Sequence, residues 1–129
     1  MKTKIDNHDR TDAFHVVDLT SIIKQFSKWT TLLPTVKPFY AVKCNPDPQV
    51  LRLLSALGAN FDCATQGEID LVLNQLGDFC VAPEQIVYAQ PQKMEKHIQF
   101  ADNSRVGLTV IDGEDELHKM ASVNSKMAV

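Results

Sequence analysis

The sequence predicts an α/β fold in which parallel strands are joined by helical crossovers. Short apolar runs begin near residues 39, 60, 86, 108 and 126, and they alternate with segments whose apolar residues recur every three or four positions. This alternation is typical of an open doubly wound sheet or of a closed eight-stranded barrel. Neither a Gly-rich dinucleotide turn nor a P-loop follows any of the runs, which counts against the nucleotide-binding versions of these folds.

The chain starts with a polar segment, residues 1–12, which we expect to be flexible. Phe14–Leu19 is rich in β-forming residues and predicts a short strand. A helix follows, with Asp18 or Thr20 as its N-cap, and Pro34 marks its end.

The second unit carries strong local signals. Phe39–Val42 is a compact apolar run that predicts a strand. Asp47 and Pro48 form an N-cap with proline at the first helical position, and Gly58 stands where a helix C-cap is expected. The next strand is predicted at Asn60–Ala64.

The third and fourth units repeat the pattern. Thr65 and Glu68 have the spacing of a capping box, and the helix that they start ends at Gly77. Ile86–Ala89 predicts a strand, and a weaker helix runs through Met94 and Ile98.

The last segments complete the predicted fold. Leu108–Ile111 predicts a fourth strand and Asp112 an N-cap, and Leu117 and Met120 form the apolar face of the helix that follows. Lys126–Val129 looks like the start of a fifth strand. Because a barrel takes about 250 residues, we expect residues 13–129 to form the N-terminal half of a TIM-like (β/α)8 barrel, as a truncated domain.

Composition excludes several classes of function. Lys and Arg number 13 against 16 Asp and Glu, so the net charge of −3 disfavours nucleic-acid binding. No apolar stretch approaches the roughly 20 residues of a membrane helix. The three cysteines and four histidines lack metal-site spacing, so no metal is expected. The polar N-terminus lacks an apolar signal region, and a cytoplasmic location is expected.

Lys43 is the most informative candidate for chemistry, since it ends a predicted strand and ligand sites lie at the carboxyl ends of parallel strands. It is either a solvated lysine with a packed stem or a desolvated amine that condenses with a carbonyl. Asp62 holds the equivalent place on the next strand, where it can pair with Lys43 or serve as a simple loop acid. Helix capping alone accounts for Glu68, and Cys63 is interpreted as a packing residue.

Two motifs resemble the eukaryotic ornithine decarboxylases, which are pyridoxal-phosphate-dependent enzymes with an alanine-racemase-like barrel. They are Pro38–Asn45 (Pro-Phe-Tyr-Ala-Val-Lys-Cys-Asn) and Gly58–Ala64 (Gly-Ala-Asn-Phe-Asp-Cys-Ala), supported by Ile86–Ala89. The third motif departs from the family at Gln90, where the family usually has asparagine.

The resemblance implies decarboxylation of L-ornithine to putrescine in polyamine biosynthesis. It makes Lys43 the lysine that holds pyridoxal 5'-phosphate covalently, with Asp62 and Glu68 as acidic residues around it. It also implies a homodimer for the full-length protein. The family's phosphate-binding segments and the catalytic cysteine of the partner subunit have no counterpart here, so we expect the 129-residue chain alone to be marginally stable and inactive.

Other interpretations stay open. A non-catalytic homologue of the antizyme-inhibitor type would bind antizyme. Those inhibitors typically lose the acid at the position of Asp62, whereas this chain keeps Asp62 and Lys43, which favours an enzyme. A decarboxylase for arginine, diaminopimelate or lysine is a further alternative, as is a non-enzymatic domain that inherited the half barrel.

Overall fold

A computed structural model describes residues 13, 15–123 and 125–129 of the chain. Strands and helices alternate along it, as the sequence predicts. The elements are α1 (Leu19–Leu32), β1 (Phe39–Ala41), α2 (Pro48–Ala56), β2 (Asn60–Cys63), α3 (Gln66–Asn74), β3 (Ile86–Tyr88), α4 (Glu95–Asn103), β4 (Leu108–Thr109) and α5 (Glu114–Ser122).

The strands form one parallel sheet with the order β1-β2-β3-β4. One row of the register runs from Ala41 through Asp62 and Val87 to Leu108. Each neighbouring pair is connected through a helix, so the predicted parallel α/β architecture is confirmed.

The core lies between the sheet and the helices. In β2, β3 and β4 the strand residues that point toward the helices are buried: Phe61, Cys63, Ile86, Tyr88 and Thr109. The helices contribute Leu51, Leu54, Ile69, Val72, Ile98 and Ala101. Each fully buried large aliphatic side chain in this layer contributes about 1.5–3 kcal/mol of transfer free energy.

The opposite face of the sheet, which we call the open face, is much less covered. Its strand residues are half-buried or exposed, and Phe39 and Leu108 are 39% and 40% exposed. In a closed barrel this face points to the interior, where layers of side chains fill the space. A half barrel is therefore expected to leave this face of its sheet partly exposed.

The strand predicted at Phe14–Leu19 is wrong for the residues that the structure describes. Residues 15–18 have no strand pairing, and Leu19 already belongs to α1. The Asp18 carboxylate accepts the Thr20 N–H at 2.9 Å and caps the helix, so this part of the prediction is confirmed. Val16 and Val17 are exposed, because no neighbouring strand covers them. Phe14 and residues 1–12 lie outside the described residues.

The last unit also differs from the prediction. Strand β4 ends at Thr109, and Gly113 rather than Asp112 occupies the N-cap of α5, with no side-chain cap. The predicted fifth strand is reduced to one parallel bridge between Ala128 and Leu108. The Thr109 N–H donates to the Ala128 carbonyl at 2.9 Å, which places this segment beside β4.

Within the described part of the chain, no helix combines the length and apolar character that crossing a membrane requires.

Candidate active site at the carboxyl edge of the sheet

Lys43 lies just beyond β1, on a single 3-10 turn formed by Val42–Cys44. The sequence placed it at the end of a strand, but β1 already ends at Ala41. Val42 is fully buried and anchors the turn, whereas Lys43 is exposed. The Tyr40 hydroxyl donates to the Asn45 carbonyl at 3.2 Å and closes the loop. The Lys43 amine is therefore presented to solvent at the carboxyl edge of the sheet.

Asp62 lies on the neighbouring strand and faces the open side. It is half-buried, and its register partners are Ala41 in β1 and Val87 in β3. The structure shows no ion pair between Asp62 and Lys43 among the residues described. Lys43 lies two residues beyond Ala41 on the 3-10 turn, so the two groups lie at the same edge of the sheet.

Glu68 reinforces the end of β2. The Thr65 hydroxyl accepts the Glu68 N–H at 3.2 Å, which confirms Thr65 as the N-cap of α3. The return bond of the predicted capping box is shifted by one residue, because the Glu68 carboxylate accepts the Ala64 N–H at 2.7 Å. This bond fixes the turn that follows Asp62 and places a second carboxylate near the same edge.

Cys63 packs in the core, as predicted. It is fully buried on the helix side of β2. Burial, followed by the negative charges of Glu68 and Asp62, raises the pKa of its thiol to about 12. At neutral pH the thiol is therefore protonated, which disfavours its use as a nucleophile.

Gln90 stands in the loop after β3, at the same edge. Its side-chain amide donates to the Gln92 carbonyl at 3.1 Å. Turn chemistry alone accounts for this residue.

A cluster of one partly exposed and two buried charged residues at this edge was not predicted from the sequence. It consists of Lys93, Glu116 and Lys119, which we call the Lys93 cluster. Burial raises the pKa of Glu116, but hydrogen bonds from Lys119 and Lys93 outweigh this effect and hold the pKa below its usual value. Of the two residues predicted for the apolar face of α5, Met120 is buried as expected, but Leu117 is exposed. Glu116 is buried on the same face as Met120.

Comparisons with known proteins agree with this geometry. Residues 19–129 match the family model described as "Pyridoxal-dependent decarboxylase, pyridoxal binding domain". The chain belongs to this family. The predicted α/β half barrel and the pyridoxal cofactor are thereby confirmed.

The relatives and solved structures that resemble this chain are also decarboxylases. An ornithine decarboxylase of Schizosaccharomyces pombe is 46% identical over 110 residues, which cover 85% of this chain and 24% of the relative. The crystal structure of ornithine decarboxylase from Entamoeba histolytica superposes with a TM-score of 0.76 at 35% identity, over 85% of this chain and 33% of that one. The arginine decarboxylase of Paramecium bursaria Chlorella virus, bound to agmatine, reaches a TM-score of 0.83 at 30% identity, over 97% of this chain and 33% of that one. The chain spans about a quarter of the length of the curated relatives it matches.

Proposed function

We propose that this chain is the lysine-bearing part of a pyridoxal-phosphate-dependent decarboxylase that converts L-ornithine to putrescine in polyamine biosynthesis. The observation that carries the proposal is the exposed amine of Lys43 at the carboxyl edge of the sheet, inside a domain of the pyridoxal-binding family. The ornithine decarboxylases among the relatives and solved structures support ornithine as the substrate.

The described residues fit the aldehyde end of the cofactor. A covalent link needs an accessible primary amine, and Lys43 is exposed. A protonated nitrogen at this edge is stabilised by a nearby negative charge. The half-buried carboxylate of Asp62, on the adjacent strand, can provide that charge. The Glu68 bond to Ala64 holds the end of that strand in place.

The chemistry divides between cofactor and chain. When bound, the cofactor supplies an electron-poor ring that accepts the electron pair left behind as the substrate's carboxylate departs as CO₂. In this proposal Lys43 would hold the cofactor covalently through Nζ. Asp62 balances the positive charge at this edge, and Glu68 keeps the β2 end rigid.

Covalent labelling of this chain tests the role of Lys43. The chain is mixed with pyridoxal phosphate, reduced with borohydride, digested and mapped by mass spectrometry. Lys37, an exposed lysine in the loop before β1, is the internal reference. We expect Lys43 to be labelled about tenfold more than Lys37, because a positioned group reacts faster than a free one. Even labelling across the exposed lysines contradicts the proposal.

Matched variants separate a site effect from simple exposure. Lys43→Arg should abolish the preferred label, and Lys37→Arg should leave it unchanged. Asp62→Asn keeps the side-chain volume and removes the charge, so we expect it to lower the Lys43 label several-fold while leaving that of Lys37 unaltered.

A graft tests the reaction and its substrate. Residues 19–129 replace the matching segment of the S. pombe ornithine decarboxylase, and products from L-ornithine are measured by chromatography. We expect putrescine from the graft and none from its Lys43→Arg version. Agmatine from arginine, or cadaverine from lysine, in place of putrescine would assign a different substrate.

Partners and location belong to the same proposal. The resemblance implies a homodimer for the full-length protein and contact of antizyme with the helical side of the barrel. Sedimentation of the full-length protein, with and without antizyme, tests both. Fluorescent tagging of the full-length protein tests the cytoplasmic location.

A further inference from the structure

Lys93 is a lysine whose ammonium group lies inside the protein. The residue is 3% exposed, and its side chain is fully buried. Lysine is rarely buried unless it is paired, because removing the charge from water costs several kcal/mol. The groups around Lys93 must therefore compensate for the lost hydration of its ammonium group, and their identity indicates the role of the residue.

The Lys93 ammonium joins the ends of two strands. Its Nζ donates to the carbonyl oxygens of Gln90 at 2.9 Å and Val110 at 3.0 Å, and lies 3.4 Å from that of Pro91. Gln90 and Pro91 follow β3, and Val110 follows β4. The ammonium therefore donates hydrogen bonds to carbonyl groups just beyond the ends of β3 and β4, where the regular hydrogen bonds between the strands stop.

Helix α5 holds both the backbone and the side chain of Lys93. Its backbone N–H donates to Glu116 Oε1 at 3.0 Å, and its Nζ lies 3.2 Å from the same oxygen. Its carbonyl oxygen accepts a hydrogen bond from Lys119 Nζ at 2.7 Å. Lys119 also pairs with Glu116. The two residues of α5 thus fix the backbone and the side chain of Lys93 at once.

Stability alone does not explain this cluster. Apolar residues of similar volume usually replace a buried ion pair with little or no loss of stability. What an apolar core does not provide is a donor for the strand-end carbonyls of Gln90 and Val110. These carbonyls lie at the edge of the sheet that carries Lys43 and Asp62.

We propose that Lys93 is a positioning residue for the cofactor site. Clamped by Glu116, it fixes the loop after β3 against the end of β4 and so sets the rim of the site. The inference rests on the proposed function, since the site is the one that Lys43 anchors.

The labelling assay on the full chain tests it. The variant pair is Lys93→Met with Glu116→Gln, which removes both charges together and leaves neither one buried alone. We expect the melting temperature of the pair to stay within a few degrees of the original chain, while the ratio of Lys43 to Lys37 labelling falls about threefold or more. Lys96→Met, which removes an exposed lysine from α4, is the matched control and should change neither value.

A milder variant keeps the test decisive if the pair does not fold. Lys119→Met removes the hydrogen bond to the Lys93 carbonyl from a partly exposed side chain and leaves the buried Lys93–Glu116 pair intact. A fall in the labelling ratio at an unchanged melting temperature supports the positioning role. A ratio equal to that of the original chain overturns it. If the original chain itself shows no preference for Lys43, the proposed function fails and this inference fails with it, so the two failures are distinguishable.

Discussion

Two cysteines near the candidate site differ sharply in environment. Cys44 follows Lys43 and is exposed, whereas Cys63 is buried with its pKa raised to about 12 by burial and by the neighbouring carboxylates. Because the thiolate is the reactive form, we expect iodoacetamide at pH 8 to modify Cys44 at least about tenfold faster than Cys63. Peptide mapping over time measures both rates. In denaturant the two rates should converge, and equal rates in the folded chain would contradict the burial of Cys63.

Arg105 has a strained backbone conformation. Its φ of 62° lies in the left-handed region, which costs a residue with a Cβ about 1–2 kcal/mol. Arg105→Gly should relieve this strain and raise the free energy of unfolding by about 0.5–1 kcal/mol after the added chain entropy is counted. Arg105→Ala is the control, since it removes the side chain and keeps the strain. Urea unfolding measures the free energy of unfolding of both variants. Equal values for the glycine and the alanine variant would argue against backbone strain at this position.

Helix α2 shows how a single position ends an element. Gly58 has a φ of +85°, and the Ala59 N–H reaches back to the Leu54 carbonyl at 3.0 Å, which turns the chain into β2. An alanine Cβ would meet no atom within 4 Å, so Gly58→Ala costs backbone strain alone, about 1 kcal/mol. Gly107→Ala, where φ is not left-handed and the space is also open, should be neutral or slightly stabilising. Similar losses at both glycines would count against this account.

Local signals explain which elements were predictable. Asp47 with Pro48, and Thr65 with Glu68, are cap patterns that act within a few residues, so the helices that they start were placed correctly. Val16 and Val17 suggested a strand, but β propensity depends on a partner strand, and none pairs with them among the residues described. A residue's β propensity therefore leads to a strand only where a neighbouring strand is available to pair with it.

The candidate site was predictable only in part, for the same reason. Strand alternation placed Lys43 and Asp62 at one edge of the sheet, because that consequence follows from parallel topology. The Lys93 cluster depends on contacts between residues 23 positions apart, such as the bond from the Lys93 N–H to Glu116. No short-range pattern indicates that Glu116 is buried while Leu117 is exposed. Contacts of this kind become visible only when the units are packed together.

At the scale of the whole molecule, the open face controls behaviour in solution. Phe39, Leu108 and Val110 leave apolar surface on this face, and such surface together with free strand edges promotes association. We therefore expect the 129-residue chain to self-associate and to form no putrescine, since a closed barrel is what normally covers this layer. Product from the purified chain would refute the second expectation.

A pair of leucine variants locates the associating surface. Leu108→Gln acts on the open face, whereas Leu117→Gln removes a leucine of similar exposure from α5, on the helix side. We expect Leu108→Gln to shift the chain toward monomer in sedimentation velocity, with little change in melting temperature, because its side chain is already 40% exposed. Leu117→Gln should leave the distribution unchanged. An equal shift from both variants would mean that association is unspecific and that the open face has no particular role in it.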